Sequence, residues 1–167
     1  MTKRYELLCM LIFMAACSNN AGSPRENSIE VPAQVVFRDA NCVETREGVR
    51  VIADGRNWDK WLDKQSSLVV SGEPTARPKL EFDSSRVLII SMGNRSTAGF
   101  GIAFGRDSVT LTDSKLVIVV DWIEPTKDLV VAQVLTSPCT AIQVDTTDFD
   151  TAEIRNRDGS VLFRHAL

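Results

Sequence analysis

Residues 86–104 (Arg-Val-Leu-Ile-Ile-Ser-Met-Gly-Asn-Arg-Ser-Thr-Ala-Gly-Phe-Gly-Ile-Ala-Phe) restrict the fold more than any other stretch of this 167-residue chain. Residues 86–92 are β-branched and apolar and too short for a free-standing helix, which reads as a buried strand. Gly93, Asn94, Ser96, Thr97 and Gly99 then supply turn chemistry. Residues 99–104 alternate, with Phe100, Ile102 and Phe104 on one face of a second strand. The three pieces predict a central β-hairpin. Arg95, Ser96 and Thr97 form its polar tip and are the candidate partner-binding residues. Gly93, Gly99 and Phe100 are the candidates for holding the loop, because a hairpin needs a residue at positive φ and Phe100 opens the inward row.

Further strands are expected on both sides. Val35 and Phe37 begin one, and residues 48–53 form the next, broken at Asp54-Gly55. Residues 71–78 hold two prolines and read as a loop. Residues 108–112 alternate before an Asp113-Ser114 turn. Residues 115–124 are almost continuously apolar, the pattern of a strand covered on both faces. Residues 129–135 and 140–144 read as two more strands. Residues 154–163 close the chain as a hairpin around Asn156-Arg-Asp-Gly. One helix is expected, from Asn57 as N-cap to about Ser66. Trp58, Trp61 and Leu62 share one of its faces, which is the spacing of a core anchor against a sheet. The fold class is therefore mainly β, an antiparallel sandwich or partly open barrel with one short helix.

The N-terminus has a different character. Lys3 and Arg4 precede a short apolar run too short to span a bilayer, the layout of a signal peptide over residues 1–16. Met14-Ala-Ala-Cys17 resembles a bacterial lipobox, which implies lipid attachment at Cys17. Ser18 after it favours the outer membrane of a bacterial envelope. Residues 17–32 are polar and aperiodic and read as a flexible tether. Residues 33–167 make a single domain. With Cys17 lipidated and Cys9 removed with the leader, Cys42 and Cys139 remain. In an oxidising envelope an even pair reads as a disulfide, with two buried thiols as the alternative.

Composition and motifs argue against several functions. The formal net charge is -3 and no basic run occurs, which removes the usual basis for nucleic-acid binding. The single histidine, His165, sits near the C-terminus, a poor place for a catalytic base. No cluster of Cys and His suits zinc. Asp145, Asp148 and Asp150 lack the pattern of a calcium loop and read as solvated acids. No catalytic residue, metal site or cofactor is expected.

Several segments together resemble the PrcB-like protease-complex subunit family. They are Trp58 to Trp61, Leu80-Glu-Phe-Asp83, Gly93-Asn-Arg-Ser-Thr-Ala-Gly-Phe-Gly-Ile102, Trp122-Ile-Glu-Pro125 and Leu135-Thr-Ser-Pro138. The departures are Ser96 for the family's proline, Ala98 for its glycine and Phe100 for its tyrosine. The resemblance implies a non-catalytic lipoprotein that binds and stabilises a secreted or envelope protease. A second likeness is narrower. Thr97, Gly99 and Phe100 agree with the loop of chagasin-like protease inhibitors, whose partner loop has no counterpart here. A small-ligand-binding envelope domain, using the tryptophan helix or the acidic loop, is the remaining alternative.

Overall fold

The computed structural model describes residues 27–67 and 78–167. The leader, Cys17, most of the tether and nearly all of the loop expected at 71–78 lie outside the described residues. Among the described residues, nine strands and a helix follow in the order β1 (Ile29–Glu30), β2 (Ala33–Asp39), β3 (Glu47–Ile52), α1 (Gly55–Ser66), β4 (Arg86–Met92), β5 (Gly101–Thr112), β6 (Lys115–Ile123), β7 (Cys139–Val144), β8 (Thr151–Asn156) and β9 (Val161–Ala166). They form a five-stranded sheet, β1-β5-β6-β8-β9, and a four-stranded sheet, β2-β7-β4-β3. The class is mainly β, a sandwich rather than a closed barrel. Between these strands all pairings are antiparallel except β6 with β8.

The two faces of the four-stranded sheet are both covered. Leu88, Ile90 and Met92 of β4 and Ile142 and Val144 of β7 pack with Ile102, Leu116, Ile118 and Ile154 of the other sheet. The alternate residues Val87, Ile89 and Ala141 pack with Trp58, Trp61 and Leu62 of α1. This explains why β4 is apolar almost without a break and why β7 is buried along its whole length: neither has a wet face. The tryptophans are core, as their spacing indicated. Trp58 and Trp61 stack at 5.3 Å between ring centroids, and Phe37 meets Trp61 edge-on at 5.0 Å. Thr140 Oγ1 donates to the Ile102 carbonyl at 3.1 Å, a buried hydrogen bond that ties one sheet to the other.

Several sequence expectations are corrected. The central hairpin does not form: β4 pairs with β3 and β7, and β5 pairs with β1 and β6. Residues 93–100 are a crossover between sheets. The reason is the difference in patterning, since a doubly covered strand and a singly covered one suit different positions in a sandwich. Residues 108–112 continue β5 past a register shift between Phe104 and Val109. Residues 129–135 are not a strand. The helix begins at Gly55, and its N-cap is Asp54, whose Oδ1 accepts from the Asn57 amide at 2.9 Å. The sheet also begins inside the stretch read as tether, because Ile29 and Glu30 pair with Leu111 and Thr110. The Asp113-Ser114 turn and the final hairpin form where expected; Asp113 and Ser114 both take positive φ, as a tight two-residue hairpin requires.

Cys42 and Cys139 are disulfide-bonded, with Cα atoms 5.9 Å apart. The bond ties the segment between β2 and β3 to the start of β7. Ser137 adds a clasp beside it: Cys42 donates to the Ser137 carbonyl at 2.9 Å, Ser137 donates to the Ala40 carbonyl at 2.9 Å, and Ser137 Oγ donates to the Cys42 carbonyl at 2.6 Å. Gln65, buried at the end of α1, donates to the Asn41 carbonyl at 2.8 Å and accepts from the Val43 amide at 3.0 Å.

One buried charge makes stability depend on pH. Glu153 of β8 is only 2% exposed and lies between two arginines. Arg164 Nε donates to its Oε2 at 2.6 Å, and Arg155 pairs with Oε1. Hydrogen bonds from Arg164, and then Arg155, hold the carboxyl below the usual glutamate range against the opposing effect of burial. A carboxyl with a lowered folded-state pKa stabilises the fold fully above its unfolded pKa. That contribution is lost as pH falls through the lowered value. Glu153→Gln is thus expected to unfold at lower denaturant than wild type at neutral pH, with the gap closing as pH falls through and below the ordinary glutamate range. A gap of constant size across that range in urea titrations contradicts this role.

Candidate functional site

The crossover at 93–100 and the long excursion between β6 and β7 meet at one end of the sandwich. β4 ends there, β5 begins there, and the excursion leaves from Ile123 and returns at Cys139. The other end carries the Asp113-Ser114 turn. The described chain also enters at that other end, because β1 runs antiparallel to the last residues of β5. The two ends are separated by the twelve residues of β5, roughly 35 Å at an extended rise.

Gly93 makes the exit from β4. Its φ is +65°, and an added Cβ would lie 2.6 Å from the Glu47 amide nitrogen. Both the backbone sign and the space therefore require glycine. Met92 donates to the Pro138 carbonyl at 2.9 Å, and Asn94 donates to the Thr45 carbonyl at 3.2 Å. Arg95 and Thr136 exchange both backbone hydrogen bonds, at 2.7 and 2.9 Å. Thr136 Oγ1 donates to the Thr97 carbonyl at 3.2 Å, and Ala98 donates to the Ala132 carbonyl at 2.9 Å. Gly99, at φ +95°, lets the chain pass Pro125 and Val131: its Cβ would sit 3.1 Å from Pro125 Cβ. Phe100 is half-buried against the sandwich core.

Arg95 is drawn inward. Its Nη2 pairs with Glu47 Oε2 at 3.0 Å, and its guanidinium lies 5.3 Å from the centroid of the Phe100 ring. Its side chain is 25% exposed, and its buried Nε has no acceptor among the described residues. Ser96 is exposed, and Thr97 is partly covered. The structure thus brings Gly93, Arg95, Thr97, Gly99 and Phe100 into one braced unit. Arg95 has an internal task, tying the crossover to β3, that the sequence reading did not foresee. The segment that resembles the chagasin-like loop is bonded along its length to the excursion rather than projecting alone.

The excursion carries the surface that sequence reasoning missed. Ile123, Leu129, Val134 and Leu135 are exposed, and Val130 is completely so. Runs of β-branched residues fill buried strands, and propensity gives 129–135 that character. The signal against a strand was the pair of flanking prolines, Pro125 and Pro138, which close the run at both ends. Scattered apolar residues on a surface are ordinary, whereas several exposed together on one loop are less so. The remaining candidates lie elsewhere. Asp145, Asp148 and Asp150 are exposed around buried Phe149, and no metal-holding group of His, Cys, Asp and Glu occurs among the described residues. No helix among the described residues is long and apolar enough to cross a membrane.

Fold and surface together define a helix-backed β-sandwich that presents a braced apolar loop at one end. Residues 86–145 match the family described as PrcB C-terminal, from the start of β4 to just past β7, so the likeness of this chain to the PrcB-like family is shown on that segment. The match includes both the crossover and the excursion. No curated protein and no solved structure matches the chain.

Gly93→Val tests the brace. The variant is expected to lose about 2 kcal/mol or more, since it combines a β-branched residue at positive φ with a backbone clash. Chemical denaturation measures the loss. Wild-type stability in this variant would mean that the exit from β4 is not held as described.

Proposed function

We propose that this chain is a non-catalytic envelope lipoprotein subunit that binds a protease, or another envelope protein, through its apolar excursion, and stabilises it. One observation carries the reading. Leu129, Val130, Val134 and Leu135 stand in water on a loop that the crossover holds by backbone hydrogen bonds at Arg95, Ala98 and Thr136. A loop with that much exposed apolar surface would collapse if it were free to do so. Here it is fixed in a shape suited to a partner, so little ordering has to be done on binding. The PrcB C-terminal match spans the same segment and supports association with a protease complex.

The lipid reading fits the same geometry. A lipid on Cys17 leaves a short connection to Asn27, and β1 docks at the end opposite the excursion. The anchor then holds one end of the sandwich near the membrane and presents the other outward. Arg95 serves this function by position: it fastens the crossover to Glu47 and so supports the excursion.

A paired experiment tests both parts. Val130→Asp with Leu135→Asp should keep the wild-type melting temperature and membrane location but lose its partner protease in detergent co-purification. Cys17→Ala should release the chain from the membrane and retain the partner. Undiminished capture by the doubly charged variant moves the interface elsewhere; membrane retention of Cys17→Ala places the anchor elsewhere.

A further inference from the structure

A second surface has a different chemistry. β3 ends the four-stranded sheet, and among the described residues it pairs on one side only, with β4. That pairing runs through all six residues from Glu47 to Ile52 without a bulge. The outer edge of β3 is therefore unpaired, with β9 of the other sheet lying close to part of it; an unpaired strand edge is the template that strand addition uses. Beside it, on the side facing α1, lies a cleft of about 310 Å³ between β3 and the flank of the helix.

The cleft is basic in a chain whose net charge is -3. Arg50 enters from β3, and Lys60 and Lys64 line it from α1, four residues apart and so on one helical face. The one carboxylate lining it, Glu44, is already engaged. Its Oε1 accepts from Trp61 Nε1 at 3.1 Å, and its Oε2 accepts from Arg50 Nη2 at 3.2 Å. Glu44 shows that a carboxylate fits against this wall. It offsets one of three positive charges. Lys60 and Lys64 have no carboxylate partner among the described residues, and Arg50 remains 56% exposed with donors to spare. The groove continues past Arg50 over Gly48, where an added Cβ would meet nothing within 4 Å, to Arg46 and Glu47, and the Glu47 carboxylate is itself paired with Arg95.

We propose that β3 and this cleft bind an extended acidic peptide segment, which adds as a strand to the free edge of β3. Its backbone pairs with the unpaired amides and carbonyls of β3. Its alternate side chains then project toward α1, because successive residues of a strand face opposite ways. Carboxylates on that side meet Lys60, Lys64 and the spare donors of Arg50. The edge gives affinity for any extended chain, and the cations select an acidic one. An isolated anion would use the cations alone; the edge makes a peptide the better match. This surface is separate from the excursion, so the two sites can be disabled one at a time.

The test uses the full mature chain and a capped hexapeptide alternating glutamate with threonine, followed by titration calorimetry at low salt. One peptide is expected to bind per chain. Lys60→Glu with Lys64→Glu, both exposed positions, should weaken it by about tenfold or more. Two further peptides are N-methylated on one or the other alternate set of amides, and one of them should lose binding. Val130→Asp should bind the parent peptide like wild type. The proposal is overturned if wild type does not bind, if the charge-reversed variant binds as tightly, or if both methylated peptides bind like the parent.

Discussion

Two neighbouring strands with no wet face, β4 and β7, set the terms for the whole structure. Their inner residues need a second sheet and their outer residues need a helix, so the chain must supply both. Ridding two such strands of water on both sides is a strong apolar driving force. The order of elements follows. β3 and β2 flank the pair, α1 lies across its outer face, and every connection to the five-stranded sheet must cross at an end of the sandwich. The crossover at 93–100 and the excursion at 124–138 are two of these crossings, and they meet because β4 ends where β7 begins.

That meeting point is fastened more heavily than a simple connection requires. The Cys42–Cys139 disulfide, the Ser137 clasp and the paired backbone bonds of Arg95 and Thr136 all fix the base of one loop. A cross-link closing so long a loop restricts the unfolded chain strongly. It also pins the point at which the excursion re-enters the sheet. Arg95 illustrates how such a region departs from pure packing. Its charge is partly buried, one donor has no acceptor, and the ion pair to Glu47 is of the exposed kind that contributes little. A stability-driven crossover would do as well with an apolar residue. Local rules tend to be broken where a surface serves binding.

Much of this was legible in the residues. Trp58, Trp61 and Leu62 at helical spacing announced a helix on a sheet, and Asn156 to Gly159 announced the last hairpin. Cys42 and Cys139 were paired by counting. What misled was adjacency. β4 and β5 follow one another with turn residues between, and a hairpin is the local answer; only the contrast between an unbroken apolar run and an alternating one hinted at separate sheets. Asn57 looked like the N-cap, yet Asp54 sits at the position from which a carboxylate reaches the third amide. Residues 129–135 were misread for a related reason. Strand propensity describes a side chain suited to a half-buried pleat, and nothing in it says whether a neighbouring strand will be there. The basic cleft was hidden because Arg50, Lys60 and Lys64 come from two elements that only the fold brings together.

The central claim is that the end of the sandwich opposite the tether is where a protein partner sits. Site-specific photo-crosslinking in the intact envelope measures this directly, with the probe placed at Val130 on the excursion and, separately, at Asp113 in the opposite turn. The account predicts a single stoichiometric protein adduct from position 130 and none from position 113. An adduct confined to position 113, or none at position 130 while the chain still co-purifies with a partner, contradicts it.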